Sequence, residues 1–277
     1  MAELIVYGIV LGSIIALGAI GLSLVYGILR FANFAHGEFM TTGAYLALFM
    51  VTGVLSWIDV PDSNFGALSF GWRMVIAFPF SMVGVAFLAI VFDRILYRKL
   101  RIKGSGPVML AMSSLGTSFI IRMIILIIWG ADYRFYRPGL MRPALEFPWG
   151  IKIRPDQILI LFVVLFLVVL LHLFLKRTKM GKAMRATADN MQLALISGID
   201  TERIIIWTWG IGGALAAAGG ILYGIDVQLH ARMGWNFLIP LFAATILGSI
   251  GNIYGALIGG LTIGIAQPQY HLRPSAN

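Results

Sequence analysis

The chain has no cysteine and little charge, and each shortage closes off a class of reading. Without cysteine, disulfides and thiolate metal sites are excluded, while the compartment stays open. Only 12% of the 277 residues are charged, against about 25% in a typical soluble domain. Four histidines (His36, His172, His230, His271) lie far apart, with no Ser-His-Asp spacing or paired-carboxylate site, so an enzyme is not expected. "GTSF" at Gly116–Phe119 lacks the second glycine of an intramembrane serine protease's G-x-S-G. No G-x-x-x-x-G-K-[ST] occurs, so the chain cannot cradle ATP phosphates by the P-loop mechanism.

What is present is oil. Hydrophobic residues make up 59% of the chain, the mean hydropathy is +0.89, and apolar runs of about 20 residues or more place it among polytopic membrane proteins. Lipid offers the backbone no hydrogen-bond partner, so spans must be helices or a closed barrel. Continuous rather than alternating apolar runs exclude the barrel. The expected fold is therefore all-α, a single polytopic transmembrane bundle of about seven or eight spans over residues 1–277. The 32 glycines suit close approach of membrane helices. A net charge of +9 invites a nucleic-acid reading, but the basic residues fall in loops between spans, which a membrane protein's positive loops explain more simply.

Spans are expected near 4–29, 36–57, 72–93, 106–130, 156–175, 203–225 and 236–266. The first apolar run, to about Leu29, is too long for a signal-peptide core and is expected to be a retained span. The last is expected to be a broken helix, or a short re-entrant piece followed by a span, because Pro240 and Gly248 interrupt it. Twelve basic residues in the loops at Arg30, 93–104 and 176–203 outweigh six in the opposite loops. The first set is expected to be cytoplasmic, with the N-terminus external. The Pro-rich, aromatic 131–155 segment is expected to be an ordered external loop.

"GKAMRATADNMQLALISGID", residues 181–200, is a polar island between two spans. As one helix it would align Met184, Ala188, Met191 and Leu195 in an apolar stripe. Lys182, Arg185, Asp189 and Gln192 would lie on another face. Gly181 and Gly198 would bracket it, with Asp200 or Thr201 capping the next helix. Such a helix either lies on the membrane without a partner or docks a soluble protein. "NFAHGEF" puts Asn33, His36 and Glu38 at the internal edge of the second span. They suit either polar capping of an entering helix or a place near a pathway. Metal chemistry is not expected, since no P-C-x-x-C follows the H-x-E. Arg122 is a charge inside an apolar run, where a partner or a cavity is needed. Glu38 is a conceivable partner, and a snorkelling arginine is the alternative. Gly251, Gly255 and Gly259, joined by Gly260–Gly264 and Gly8–Gly12, permit backbone-close packing within the chain or across a dimer.

Three of these stretches carry a resemblance. Residues 181–200, with Gly181, Arg185, Ala186, Asp189, Gly198 and Ile199, resemble the cytoplasmic coupling segment of ABC importer permeases of the branched-chain amino acid (high-affinity Liv) type. "YGILRFANFAHGEFMTTGAY" (26–45) and "LGSIGNIYGALIGGLTIGIA" (247–266) resemble signatures of the same family, in the expected order across nearly the whole chain. The resemblance implies a permease subunit of the bacterial inner membrane that passes branched-chain or related hydrophobic amino acids. Urea or short-chain amide import within the same family is the close alternative, and a secondary transporter or channel a more distant one. It also implies cytoplasmic ABC ATPase subunits that bind the ATP, a second permease subunit (the same chain or a paralogue) and an external binding protein. The chain itself would hold no cofactor or metal and bind no nucleic acid. The tail at 267–277, polar and proline-containing, departs from the family pattern of a further hydrophobic region and reads as truncated, frameshifted or divergent.

Overall fold

The computed structural model of the protein describes residues 2–61, 68–136, 145–147 and 151–267. The unusual tail at 268–277 lies outside the described residues. Ten helices occur among them. In chain order these are α1 (Ala2–Leu29), α2 (His36–Trp57), α3 (Trp72–Ile102) and α4 (Pro107–Trp129). There follow α5 (Pro155–Arg177), α6 (Lys179–Asp189), α7 (Met191–Ile196), α8 (Thr201–Asp226), α9 (Met233–Leu247) and α10 (Ile253–Ala266). A small antiparallel ribbon, β1 (Leu145–Phe147) with β2 (Ile151–Ile153), pairs Glu146 opposite Lys152. It falls in the segment expected to be an ordered loop. Six helices are long and apolar enough to cross a membrane, and α9 and α10 are shorter apolar ones.

The core forms where the sequence is poorest in bulk. Helices α1, α2 and α8 are mostly buried, whereas α3, α4 and α5 present much of their length outward. In α8, Gly212, Gly213, Ala216, Ala217, Ala218, Gly219 and Gly220 are all buried. Lacking large side chains, that stretch lets α1 and α2 approach backbone to backbone. A Cβ at Gly220 would overlap the Met40 carbonyl, and one at Gly43 would overlap Ala217. Phe162, Leu165, Phe166 and Leu170 of α5 point outward, as do Val83 and Phe87 of α3.

Two expectations about the spans need correction. The basic stretch 93–104 is not a loop, because α3 continues through it to Ile102. It does so by way of a π turn at Asp93–Tyr97. Arg101 folds back to pair with Asp93 at 2.5 and 3.2 Å, a charge that is 1% exposed. The last apolar stretch breaks at 248–252, beginning at the expected Gly248, whereas Pro240, the other expected interruption, stays inside α9. Ser249 and Gly251 take positive φ there, 69° and 86°, and Asn252 caps α10 by accepting from Tyr254 and Gly255 N–H. The product is an antiparallel hairpin in which Gly248 meets Gly255 and Ala244 meets Gly259.

Contacts sort the helix ends onto two sides. The side on which α1 ends, hereafter the far side, groups Arg30 with Ala188 and Arg98 with Glu202. The side on which α1 begins, the N-side, groups Arg154 with Asp226 and Ser69 with Asp156. The long helices alternate between these two sides.

Candidate functional site

The expected polar edge of α2 is not at an edge. Arg30 adopts φ 57° after α1 ends, and the chain turns back into the bundle through 31–35. The His36 Nε2 lies 3.0 Å from the Gly18 carbonyl, and the carbonyl can only accept, so Nε2 carries the proton. Gly18 precedes Leu29 by eleven residues, which is about 16 Å of helix. Helix α2 therefore begins well inside the bundle, and Asn33, His36 and Glu38 sit there with exposures of 0%, 0% and 1%. The return segment is held by its own polar groups. Ala35 N–H donates to Asn33 Oδ1 at 3.1 Å, and Phe34 N–H to Ser114 Oγ on α4 at 2.9 Å.

Glu38 then meets Arg122. The guanidinium donates to Glu38 Oε1 through Nε at 3.0 Å and Nη2 at 2.6 Å. Thr41 hydroxyl donates to the other oxygen at 3.3 Å and accepts from Gly234 N–H at 2.9 Å. Over the arginine lie the Trp235 and Phe119 rings, 4.6 and 5.4 Å from Cζ. Arg122 is thus not snorkelling. It is neutralised by a buried carboxylate and roofed by aromatic faces. One cluster ties α2, α4 and the start of α9 together.

Below it lies an aromatic layer. Tyr97 and Trp209 stack with ring centroids 5.0 Å apart and planes 3° from parallel, and Phe31 and Phe39 close around them. Within this region the Asn33 Nδ2, His36 Nδ1 and Trp209 Nε1 atoms are buried without a hydrogen-bond partner among the described residues. On the N-side, Asp226 receives the Arg154 guanidinium and Gln157 Nε2 (3.1 Å), while Arg154 also reaches the Asp226 carbonyl at 2.8 Å. This cross-link between α5 and α8 was not anticipated, because its partners lie 72 residues apart. No group of three His, Asp or Glu side chains suited to a metal occurs among the described residues.

On the far side, residues 181–200 form two helices instead of one. Asn190 breaks them and caps α7 by accepting from Leu193 N–H at 3.0 Å. The single apolar stripe is consequently split. Met184 is buried, while Met191 and Leu195 are exposed together with Leu193 and Ile196. Gly181 does not bracket the helix but lies inside α6, where a Cβ would strike the Leu175 backbone at the end of α5. Thr178 caps α6 by accepting from Gly181 N–H at 3.0 Å. Gly198 does end α7, with φ 81°, and Asp200 caps α8 by accepting from Arg203 N–H at 3.1 Å. Arg185, Ala186 and Asp189 stand exposed, and Ile199 is half-buried. Arg30 reaches this segment from the start of the return, donating to the Ala188 carbonyl at 2.6 Å.

Gly255 and Gly259 pack against α9 of the same chain, and Gly251 stands beside Gly27 of α1. Gly260 and Gly264 meet Ala16 and Gly12 of α1.

Comparison with known proteins adds the family. A model described as branched-chain amino acid transport system / permease component matches residues 4–271. The high-affinity branched-chain amino acid transport system permease protein BraD of Pseudomonas aeruginosa is 34% identical over 269 residues, covering 95% of this chain and 84% of that protein. Its counterpart LivH of Escherichia coli K12 is 32% identical over 276 residues, covering 94% and 82%. A probable branched-chain amino acid transport permease protein of Methanocaldococcus jannaschii is 29% identical over 268 residues, covering 94% and 78%. No solved structure matches.

Proposed function

The chain belongs to the family of permease components of branched-chain amino acid transport systems, and from that premise we propose that it carries branched-chain or related hydrophobic amino acids inward, driven by a separate ATPase. The observation that carries this reading is the family match across residues 4–271, joined to a multi-pass helical body whose sequence holds no P-loop. In this reading the far side is cytoplasmic, since it gathers Arg30, Arg98, Lys176 and Arg185. The N-side is external and faces a binding protein that delivers substrate. A second permease subunit completes the transporter in the inner membrane.

Helices α6 and α7 are the element we assign to ATPase docking. Leu193, Leu195 and Ile196 offer an exposed apolar knob, with Arg185 and Asp189 on the adjoining rim. Helix α6 is seated on the end of α5 through Gly181 and linked to the α1–α2 return through Arg30. A displacement of α6 by the ATPase would thus reach the segment that holds Asn33 and His36. Nucleotide chemistry stays on the partner, and this chain's share is to convert a push into a change of helix arrangement.

The test is uptake by proteoliposomes holding the chain with its candidate ATPase, second permease and binding protein, using labelled leucine and labelled urea. Leucine uptake that requires both ATP and the partners is expected. Uptake of either compound by the chain alone would sink the proposal, and ATP-dependent urea uptake without leucine uptake would move the substrate assignment to amides. In a pull-down, Arg185→Glu should weaken recruitment of the ATPase, and unchanged recruitment would count against α6 as the dock.

A further inference from the structure

One outward face of the bundle does not suit lipid. Along α9, Arg232, Trp235, Asn236 and Ile239 recur at helical spacing and are all exposed. Phe119 of α4 continues that face, with its ring 6.1 Å from Trp235. Other outward faces behave differently, since α5 presents Phe162, Leu165, Phe166, Val169 and Leu170 to its surroundings without a charge between them.

Depth makes the contrast sharp. Arg122 is four residues from the midpoint of α4, or about 6 Å, and Trp235 lies over its guanidinium. Gly234, next to Trp235, is held by Thr41 within α2. Arg232 precedes Trp235 by less than one turn, so its backbone stands at the depth of the apolar stretches of α2 and α4, on the N-side of Arg122. Arg122 is neutralised by Glu38, but no ion-pair partner for Arg232 occurs among the described residues. A bare charge facing hydrocarbon is strongly disfavoured, and such groups face a partner or a water-filled cavity.

We propose that the α4–α9 face lines the aqueous substrate path and that Arg232 receives the carboxylate of the amino acid in passage. The surroundings fit that ligand. An uncompensated guanidinium pairs with a carboxylate, while Trp235, Phe119 and Ile239 offer apolar contact to an aliphatic side chain at the same level. Asn236 adds a neutral polar group, its Nδ2 lying 3.3 Å from His230 Nε2. A neutral amide such as urea would leave the cation unanswered, so the face selects acids over amides. This inference names the recognition element for the proposed function and rests on it.

The natural absence of cysteine permits a direct test in the complete transporter. Single cysteines are placed by Arg232→Cys, Asn236→Cys and Ile239→Cys, with Phe166→Cys at the midpoint of α5 as the lipid-facing control. A sulfonated, membrane-impermeant thiol reagent should modify the three α9 positions at least about tenfold faster than the control, because charge is excluded from hydrocarbon. Equal inertness at all four would overturn the path assignment. If Arg232→Cys does not assemble, Asn236→Cys and Ile239→Cys decide the same question. Leucine uptake should fall about tenfold in Arg232→Gln and partly recover in Arg232→Lys, as loss of a charge-assisted contact requires. Unchanged uptake in Arg232→Gln would overturn the carboxylate role. Urea transport without leucine transport by the natural chain would instead overturn the substrate reading, and the reactivity pattern would still report the wall.

Discussion

Arg122 places both of its hydrogen bonds to Glu38 on a single oxygen, Oε1, and leaves Oε2 to the Thr41 hydroxyl. The carboxylate is thereby a junction between three helices. Through Arg122 it holds α4, and through Thr41 it holds the Gly234 N–H at the start of α9.

Removing one charge should therefore cost more than removing both. Glu38→Gln leaves the arginine without its counter-charge and should destabilise the fold by about 3–5 kcal/mol, the range for a broken buried pair. The double variant Glu38→Leu with Arg122→Met should regain much of that loss. Thermal unfolding in detergent measures both. A single variant as stable as the natural chain would show that the pair is not structural.

Glycines that resemble one another in sequence should differ sharply in tolerance. Gly255→Val would drive side-chain atoms into the Gly248 carbonyl, where backbone must move, so assembly of the α9–α10 hairpin should fail. Gly116 has nothing within 4 Å of an added Cβ. Gly116→Ala should be neutral, or stabilising by about 0.5–1 kcal/mol through helix propensity. Yield of folded protein on size exclusion and its unfolding temperature check the pair.

Arg30 offers a test of transmission as distinct from stability. Its bond to the Ala188 carbonyl is exposed, so Arg30→Ala should change fold stability by about 1 kcal/mol or less. In the assembled transporter, ATP hydrolysis should continue while leucine uptake drops. Uptake and hydrolysis that stay in proportion would remove Arg30 from the transmission route.

Tyr136, in the chain that follows α4, donates from its hydroxyl to the Ala44 carbonyl of α2 at 3.0 Å. Burial, with Tyr45 adding to it, pushes its pKa well above the ordinary tyrosine value. The proton is held more tightly in the folded chain than in the unfolded one. The contribution is therefore intact below the unfolded tyrosine range of about 10 and is lost as pH rises beyond it. Tyr136→Phe should cost about 1 kcal/mol at neutral pH and make the alkaline decline in stability shallower. An unfolding temperature measured from neutral to strongly alkaline pH reads both effects.

Spans and the family signatures were legible because lipid imposes long continuous apolar runs and because three motifs stand in order along the chain. The Glu38–Arg122 pair was within reach for a related reason, since a charge inside an apolar run demands a partner. Depth was not legible. The return at 31–35 is set by Arg30 taking a left-handed backbone and by His36 finding the Gly18 carbonyl, neither of which periodicity encodes. Of the two interruptions expected in the last apolar stretch, Gly248 marks the break and Pro240 does not. A proline within an apolar helix can be accommodated by its neighbours, whereas Ser249 and Gly251 at positive φ cannot continue one. Asn190 likewise outcompeted the stripe running from Met184 to Leu195, because its side chain caps a new helix more readily than it extends the old one.

The π turn at Asp93–Tyr97 amounts to one residue inserted into an α-helix. Deleting one residue there would leave a regular α-helix, with the segment beyond it in nearly the same phase. Arg101 would still face Asp93, then seven residues before it, and Arg98 would keep its side towards Glu202. The far end of α3 thus keeps its facing towards Asp93 and Glu202 while the helix carries one amino acid more than a regular one would, which makes this turn the place where α3 absorbs a change of length.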